Sequence, residues 1–336
     1  MHIGLAQFKP VWLNKGKTID KICEILDQVE AQELDLIAFP EAFVPGYPFW
    51  LSFTDGSRFE SDFQKELHAH YMRNAVQPDA NDLSLIGDIC KERQVAMYLG
   101  TVERASDRGG HSLYCSLIYI DKEGIVQSVH RKLQPTYEER LSWSSGDGNG
   151  LQVHNLEGFQ VGGLNCWENW MPLVRSALYA QGENLHIAVW PGSVKNTEDI
   201  TRFIARESRS YVVSVSSYLS RDDIGDIPHS DFIREAAPQV LADGGSCVAA
   251  PDGSWLLSPQ VGTEGLFTVE IDLEQVLRER QNFDPSGHYS RPDVTHLEVN
   301  RERQRLVSFA NKELMHARDF SKSHTKNNDE HTDQKW

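Results

Sequence analysis

Short apolar runs alternate with amphipathic stretches along most of the chain. Residues 3–8 predict a strand, and residues 17–32 predict a helix because apolar side chains recur there at helical spacing. Residues 35–39 predict a second strand, which ends at Pro40-Glu41. The same criteria predict strands at 95–103, 113–120, 125–131, 160–164, 187–190, 211–217, 247–250, 255–257 and 266–271, and helices at 81–94, 173–181, 200–210 and 273–282.

Strands mixed with helices in this order indicate an α/β or α+β protein whose helices cover sheet faces. Two packed sheets with helices outside suit the hairpins, such as 113–131 around its turn at 121–124. No internal repeat or linker is evident, so we expect a single domain. The periodicity fades after about residue 284, and the polar stretch 321–336 is expected to be disordered or ordered only by a neighbouring subunit.

The chain carries a marked negative charge. Its 336 residues include 33 Lys and Arg against 49 Asp and Glu, a formal charge of −16. Such a surface repels phosphate backbones and anionic lipids, which argues against nucleic-acid or membrane partners. No apolar run approaches the roughly 20 residues that span a bilayer, and the N-terminus does not have the pattern of a signal peptide.

Five cysteines lie far apart, without a CxxC pair, and thirteen histidines show no ligand-like spacing. His68 and His70 come nearest, but residues two apart on a helix point to different faces. The sequence therefore predicts neither a disulfide framework nor a metal site, and nothing in it calls for a cofactor. A reducing cytoplasm is the expected location.

Three reactive side chains fall where predicted core strands stop: Glu41, Lys132 and Cys166. Loops beyond strand ends collect ligands in layered α/β proteins. Taken singly, each has an ordinary interpretation: a solvated turn glutamate, a charged strand edge and an inert core cysteine. The surroundings of these three residues favour a catalytic role instead.

Glu41 lies in a dense apolar and aromatic segment, where loss of hydration raises a carboxyl pKa and makes a usable base. Cys166 follows Gly162-Gly163, a pair that suits a sharp strand-to-helix turn. No histidine stands in a cysteine-protease setting, so the thiol needs another base. A buried glutamate with a nearby lysine supplies that base and holds the charge of a thiolate.

Three segments carry a family resemblance. Residues 39–48 (FPEAFVPGYP), 130–141 (HRKLQPTYEERL) and 165–169 (NCWEN) closely resemble nitrilases, in family order, with Cys166 34 positions after Lys132. Residues 287–293 (GHYSRPD) also look like the nitrilase branch. The likeness covers roughly residues 3–300, which gives a hydrolase domain at 1–300 and a C-terminal tail at 301–336 that is flexible or in subunit contacts.

The resemblance implies an α–β–β–α sandwich, two sheets between helix layers, and homo-oligomers that include spirals or filaments. It assigns Cys166 as nucleophile, Glu41 as general base, Lys132 as cationic stabiliser and Glu139 as a second carboxylate, in preference to Glu138. The implied substrate is a small-molecule nitrile. Pocket candidates by motif position are Tyr47, Thr136, Trp143, Trp167, Trp190 and Pro191, although ordinary core packing is an equally good interpretation of Trp190.

Two positions depart from the family pattern, and other functions stay open. Ser144 stands where many nitrilases have glycine, and Asn165 stands where many have an apolar residue, so substrate preference is in doubt. The motif Cys-Trp-Glu favours the nitrilase branch, since amidases and carbamoylases more often read Cys-Tyr-Asp. The alternatives are an amidase or carbamoylase on the same fold, a cyanide-hydrolysing enzyme, and a non-catalytic filament-forming scaffold.

Overall fold

The structure is a computed structural model that describes residues 1–28 and 34–307. Residues 1–304 form one compact unit, and of the second unit, 305–336, only residues 305–307 are described. The polar stretch 321–336 and the last part of the predicted helix 17–32 therefore lie outside the described residues.

Helices and strands alternate through the compact unit. The helices are α1 Lys15–Gln28, α2 Trp50–Phe53, α3 Asp62–Asn74, α4 Ser84–Arg93, α5 Pro172–Tyr179, α6 Val194–Ser208, α7 Ser230–Ala236 and α8 Leu273–Arg280. The strands are β1 His2–Gln7, β2 Leu36–Val44, β3 Ala96–Arg104, β4 Leu113–Ile120, β5 Val126–Arg131, β6 His154–Leu156, β7 Phe159–Asn165, β8 Leu185–Trp190, β9 Tyr211–Ser216, β10 Tyr218–Ser220, β11 Val240–Ala249, β12 Trp255–Val261 and β13 Gly265–Glu270.

The strands form two mixed sheets. The first has the order β13-β1-β2-β3-β4-β5, and the second has the order β10-β11-β9-β8-β7-β6, with β12 added against β11. β1, β2 and β3 run parallel, as do β7, β8 and β9. Parallel strands place their carboxyl ends at one edge of each sheet. The carboxyl ends of β2 and β7 are therefore available to form a site.

Alternation along the strands sorts their side chains into layers. On β3, Tyr98 faces the second sheet and donates its hydroxyl to Val161 O at 3.0 Å, whereas Met97 packs with the apolar faces of α1 and α4. On β9, Val213 belongs to the core between the sheets, whereas Val212 packs against α6. Strands buried on both faces read as continuous apolar runs, which is why they stand out in the sequence. The predicted α–β–β–α sandwich is confirmed.

Several predicted boundaries are wrong. The strand predicted at 35–39 continues to Val44, and α6 begins at Val194 rather than residue 200, because its polar first turns resemble a loop. The helix predicted at 81–94 is shorter, with a separate 3-10 turn at Pro78–Ala80 before α4. The helix α3 was not predicted, although Ser61 caps it by accepting a hydrogen bond from the Gln64 N–H.

The first residues of the predicted tail, 301–304, belong to the compact unit. Arg303 Nη1 lies 3.0 Å from Asp147 Oδ1, and the backbone N–H of Gln304 donates to Asp147 Oδ2 at 2.9 Å. The division at residue 300 stays a prediction. In the described part of the chain, no helix is long and apolar enough to cross a membrane.

Candidate active site

The sequence predicted that Glu41 lies beyond the end of a strand. In the structure, Glu41 lies inside a distorted strand instead. The pairing of β2 with β3 shifts register between Phe39 and Val44, and Ala42 has a φ of 50°. Gly100 on β3 accommodates this bulge, because a Cβ there would lie 1.9 Å from Pro40 O. Bulges re-aim side chains, and here the bulge carries the Glu41 carboxylate into the interior. The side chain is almost completely buried.

Lys132 directly follows β5, as predicted. Its backbone N–H donates to Cys115 O on β4 at 2.7 Å, which extends the β4–β5 pairing by one residue. The Lys132 side chain is only 1% exposed. A buried ammonium requires anionic partners, so its position predicts carboxylates nearby.

Cys166 begins a 3-10 turn, Cys166–Trp170, immediately after β7. The sharp turn comes from Cys166 itself, whose φ is 47°. The expectation that Gly162 and Gly163 make the turn is wrong, since both lie within β7 and relieve crowding there. A Cβ on Gly162 would meet Glu183 Oε1 at 2.2 Å, and one on Gly163 would meet Leu117 and Ile187.

These elements bring three side chains, Glu41, Glu139 and Cys166, together around the Lys132 ammonium. Lys132 Nζ donates to Glu41 Oε1 at 2.8 Å and to Glu139 Oε2 at 2.7 Å. The sulfur of Cys166 and one oxygen from each carboxylate lie within 4.8 Å of one another. Glu138, by contrast, accepts a hydrogen bond from Ser52 at the surface, 3.2 Å away.

The two carboxylates differ in their hydrogen bonds. Glu139 Oε1 accepts from the Tyr47 hydroxyl at 2.9 Å, and its Oε2 accepts from Lys132 and from the Thr136 N–H at 2.6 Å. Glu41 Oε1 accepts from Lys132, but Glu41 Oε2 has no hydrogen-bond partner among the residues described. A carboxylate with both oxygens occupied suits charge balance, whereas a free oxygen suits proton transfer.

Burial governs the electrostatics of the cluster. It raises the pKa of Glu41 to about 7, with a further rise from Glu139 and an opposing effect of Lys132. Burial also opposes a charge on Lys132, but the carboxylates of Glu41 and Glu139 outweigh it and hold that pKa well above its ordinary value. A lysine that stays cationic beside a carboxyl that titrates near neutrality is an arrangement for acid–base chemistry.

The sequence indicated a thiolate at Cys166, and this prediction is wrong for the resting site. Burial and the Glu41 charge raise the pKa of Cys166 well above the ordinary thiol value, and Lys132 offsets only part of that rise. The thiol therefore keeps its proton until a base removes it.

The cluster also has a donor set that resembles a metal site. Glu41, Glu139 and Cys166 offer two carboxylates and a sulfur, which zinc accepts in other proteins. However, the Lys132 ammonium already contacts both carboxylates and supplies the compensating positive charge. This arrangement favours a lysine-centred site over a metal-centred one.

Glu168 ties the nucleophile turn to the lysine segment, a role that the sequence did not indicate. Its carboxylate is fully buried and accepts from the backbone N–H groups of Leu133 at 2.6 Å and Asn165 at 2.9 Å. His130 Nε2 lies 3.1 Å from the same carboxylate. The two residues are the Glu of Cys-Trp-Glu and the His of His-Arg-Lys, and their presence in these motifs is the signal that could have indicated the role.

A second buried network of hydrogen bonds supports the turn Cys166–Trp170. Asn169 Nδ2 donates to Cys166 O at 2.8 Å, and Asn169 Oδ1 lies 2.7 Å from His186 Nε2. His186 Nδ1 in turn lies 2.8 Å from Glu183 Oε1. Asn169 belongs to the turn after β7, His186 lies on β8 and Glu183 precedes that strand, so these polar side chains become neighbours only in the folded protein.

The pocket candidates separate into two groups. Tyr47 and Trp143 lie at the cluster: their rings are 5.5 Å apart in an edge-to-face arrangement, and the Trp143 ring is 5.7 Å from Lys132 Nζ. Thr136 contributes its backbone to Glu139.

The remaining candidates lie around the nucleophile turn and the end of β8. Trp167 follows Cys166 and is half exposed, and Pro191 is half buried. Trp190 is completely buried, packs in the core beneath α6 and donates to Ser214 Oγ at 3.2 Å. Core packing accounts for Trp190, and the substrate-binding role of all six residues stays a prediction.

The chain matches known proteins over most of its length. The family described as Carbon-nitrogen hydrolase matches residues 2–281. Nitrilase 2 of Arabidopsis thaliana is 31% identical over 312 residues, covering 92% of this chain and 91% of that protein. An aliphatic nitrilase of Rhodococcus rhodochrous is 30% identical and covers 92% and 82%.

Solved structures show the same fold. A carbon-nitrogen hydrolase from Helicobacter pylori G27 superposes with a TM-score of 0.65 at 18% identity, over 87% of this chain and 96% of that one. An amidase from Nesterenkonia sp., with acrylamide added at its active-site cysteine, gives a TM-score of 0.61 at 18% identity, over 84% and 97%. With the sheets, the buried cluster and the match across residues 2–281 in agreement, the chain belongs to the carbon–nitrogen hydrolase family.

Proposed function

We propose that this protein is a nitrilase that hydrolyses an organic nitrile to the carboxylic acid and ammonia through covalent intermediates on Cys166. The observation that carries the proposal is the Lys132 ammonium held between two buried carboxylates beside the Cys166 sulfur. The names of the sequence relatives support nitriles as the substrate class.

The first step follows from the free oxygen of Glu41. A nitrile carbon is a weak electrophile, so it needs sulfur as the nucleophile. Glu41 removes the thiol proton as Cys166 attacks, and that proton passes to the nitrile nitrogen, which gives a thioimidate. The neutral thiol of the resting site and the pKa of Glu41 at about 7 match this transfer.

The charge that develops on nitrogen needs a fixed electrostatic partner. Lys132 is positioned to supply it, together with the backbone N–H of Trp167, which already favours the ionised form of Cys166. Removing one such donor typically lowers turnover by about 100- to 1,000-fold. In this proposal Glu139 keeps Lys132 in place and charged.

Two waters complete the reaction. Glu41 takes a proton from the first water as the water adds to the thioimidate, and ammonia leaves with a thioester on Cys166. A second water, activated in the same way, releases the acid and restores the thiol. Tyr47, Thr136, Trp143, Trp167, Trp190 and Pro191 are proposed to shape the pocket for the organic group.

An amidase or carbamoylase is the second candidate, because solved structures with this fold include amidases. The same four residues would act on an amide, without the thioimidate step. Ammonia release from a nitrile and from its matching amide separates the two functions, with Cys166→Ala as the inactive control. Cyanide belongs in the same panel, and no ammonia from any compound would favour the scaffold function instead.

We also propose that the protein forms homo-oligomers. The nucleophile turn, α5 and α6 expose a group of large apolar side chains: Trp167, Trp170, Met171, Leu173 and Phe203. An apolar group of this size on a water-facing surface suits contact with a second copy. Leu173→Glu should reduce the particle mass measured by light scattering, whereas Leu277→Glu, at an exposed leucine on α8, should not.

We propose a cytoplasmic location because the cysteines are free thiols. All five are free thiols, and four of them are buried. Free thiols persist in a reducing compartment.

A further inference from the structure

Cys115 is a second buried thiol at the catalytic cluster. It lies on β4, with its sulfur 3.5 Å from Glu41 Oε1 and 3.8 Å from Asn165 Oδ1. Its carbonyl accepts the Lys132 N–H at 2.7 Å. One residue therefore contacts the three segments that carry the base, the lysine and the nucleophile.

The thiol acts here as a donor. Burial, followed by the Glu41 charge, raises the pKa of Cys115 well above the ordinary thiol value, so the sulfur keeps its hydrogen. Two acceptors compete for that hydrogen, and the Glu41 carboxylate is both nearer and charged. Hydrogen bonds to a charged acceptor are the stronger ones.

We propose that Cys115 is a positioning residue for the general base of the reaction. The S–H group and Lys132 together occupy Glu41 Oε1, and this leaves Oε2 as the oxygen that exchanges protons with Cys166 and water. The departure at Asn165 belongs to the same arrangement, since its side-chain oxygen lies against the Cys115 sulfur. This inference rests on the proposed function, because it assigns the base of that reaction to one oxygen.

The bond also favours the ionised form of Glu41. Its loss should raise the pKa of Glu41, which burial already raises and Lys132 lowers. The titratable and charged groups that face Glu41 come from six parts of the fold: Cys115 of β4, Lys132 after β5, Glu139 of the turn Tyr137–Leu141, Cys166 after β7, Tyr47 between β2 and α2, and Tyr71 of α3. Of these, only Cys115 is a neutral donor to Oε1 in the described residues.

The first measurement is the pH dependence of kcat/KM for nitrile hydrolysis. Cys115→Ala should lower kcat/KM at pH 7 by up to about tenfold and move the acid limb upward by about half to one pH unit. Cys115→Ser keeps a donor at the same carbon and should recover most of the activity and the position of the limb. Cys247→Ala is the matched control, because Cys247 is also buried on a strand but donates to Thr201, 3.6 Å away.

The second measurement does not depend on turnover. The infrared S–H stretching band that disappears in Cys115→Ala should shift in Glu41→Gln, because a neutral amide oxygen is a weaker acceptor than a carboxylate. An unmoved band would overturn the hydrogen bond. An unmoved acid limb in Cys115→Ala, or an equal shift in Cys247→Ala, would overturn the positioning role. A wild-type protein that releases no ammonia would reject the proposed function, while the infrared band would still report on the bond.

Discussion

The Glu168 carboxylate accepts a hydrogen bond of 2.6 Å from the backbone N–H of Leu133. Glu168 belongs to the turn that begins at Cys166, and Leu133 directly follows Lys132. Because the same carboxylate also accepts from the Asn165 N–H, it joins the nucleophile segment to the lysine segment. The separation of sulfur and ammonium therefore depends on a group that touches neither.

Glu168→Gln should destabilise the protein by about 1–3 kcal/mol, since an amide replaces one acceptor oxygen with a donor facing other donors. Urea unfolding measures this change. Glu138→Gln is the control, because among the described residues the Glu138 side chain hydrogen-bonds only to Ser52 near the surface, so its replacement should change stability little. Equal losses in both variants would contradict the role of Glu168.

The destabilisation by Glu168→Gln should also depend on pH. Burial opposes ionisation of Glu168, but His130 and the two backbone donors outweigh it, so its pKa lies below the ordinary value. A lowered carboxyl pKa stabilises the fold above the ordinary glutamate pKa of about 4.5, and that contribution disappears as the pH falls through the folded pKa. The difference in unfolding free energy between wild type and Glu168→Gln should therefore shrink below about pH 4.

A further prediction separates Glu139 from Glu138. Glu139→Gln should remove most activity, because it weakens the ion pair that holds Lys132 at 2.7 Å. Glu138→Gln should be nearly silent. Initial rates of ammonia release test both, with circular dichroism as the check on folding. Equal severe losses, or the reverse order, would mean that the wrong carboxylate has been assigned.

The sequence predicted the layers better than their details. Strands such as β8, buried on both faces, leave a continuous apolar run that is visible without a structure. The bulge at Glu41 leaves no such signal, because Pro40 and Glu41 interrupt the apolar run and resemble a strand end. The glycine that makes room for the bulge, Gly100, lies far away in sequence.

The catalytic candidates were visible as motif residues, but their partners were not. Nothing in the local sequence of Cys115 distinguishes it from an ordinary core cysteine, since its contact with Glu41 depends on the pairing of β3 with β4. Burial of the whole cluster also changes which of its side chains are ionised, and amino-acid composition cannot show this. Lys132 suggested a thiolate at Cys166, whereas burial and two carboxylates favour the thiol.

The activity should rise with pH through about pH 7, the pKa of Glu41, because only the carboxylate can accept the thiol proton. The acid limb of kcat/KM reports this pKa in the free enzyme. Glu41→Gln should abolish the limb together with the activity. A limb near pH 4 would show that Glu41 is not desolvated in solution.

The raised pKa of Glu41 also predicts an effect of pH on the stability of the protein. A folded pKa above the unfolded value stabilises the protein at low pH, and that contribution is lost as the pH rises from about 4.5 to about 7. Wild type should therefore lose stability over this range, and Glu41→Gln should lose less. Thermal unfolding between pH 5 and 8 measures the difference, and an equal slope in both proteins would contradict the burial of an ionisable Glu41.

The covalent intermediate is the most direct test of the mechanism. Cys166 should be the only cysteine to carry a substrate-derived acyl or imidate group, detected by rapid quenching with a slow nitrile and peptide mass spectrometry. Cys90 and Cys247 are buried, and burial raises the pKa of each to about 12. Cys23 differs from these two cysteines, since its side chain is partly exposed.

Cys23 therefore needs its own control in the alkylation experiment. Burial and the neighbouring Asp20 raise its pKa to about 11, so it should react slowly despite its exposure. Substrate should protect Cys166 from a small alkylating agent without protecting Cys23, and Cys23→Ser should retain full activity. Glu41→Gln should slow both formation and hydrolysis of the Cys166 adduct, because one base serves both steps. Ammonia release that survives Cys166→Ala at a comparable rate, or an adduct on another cysteine, would rule out Cys166 as the nucleophile.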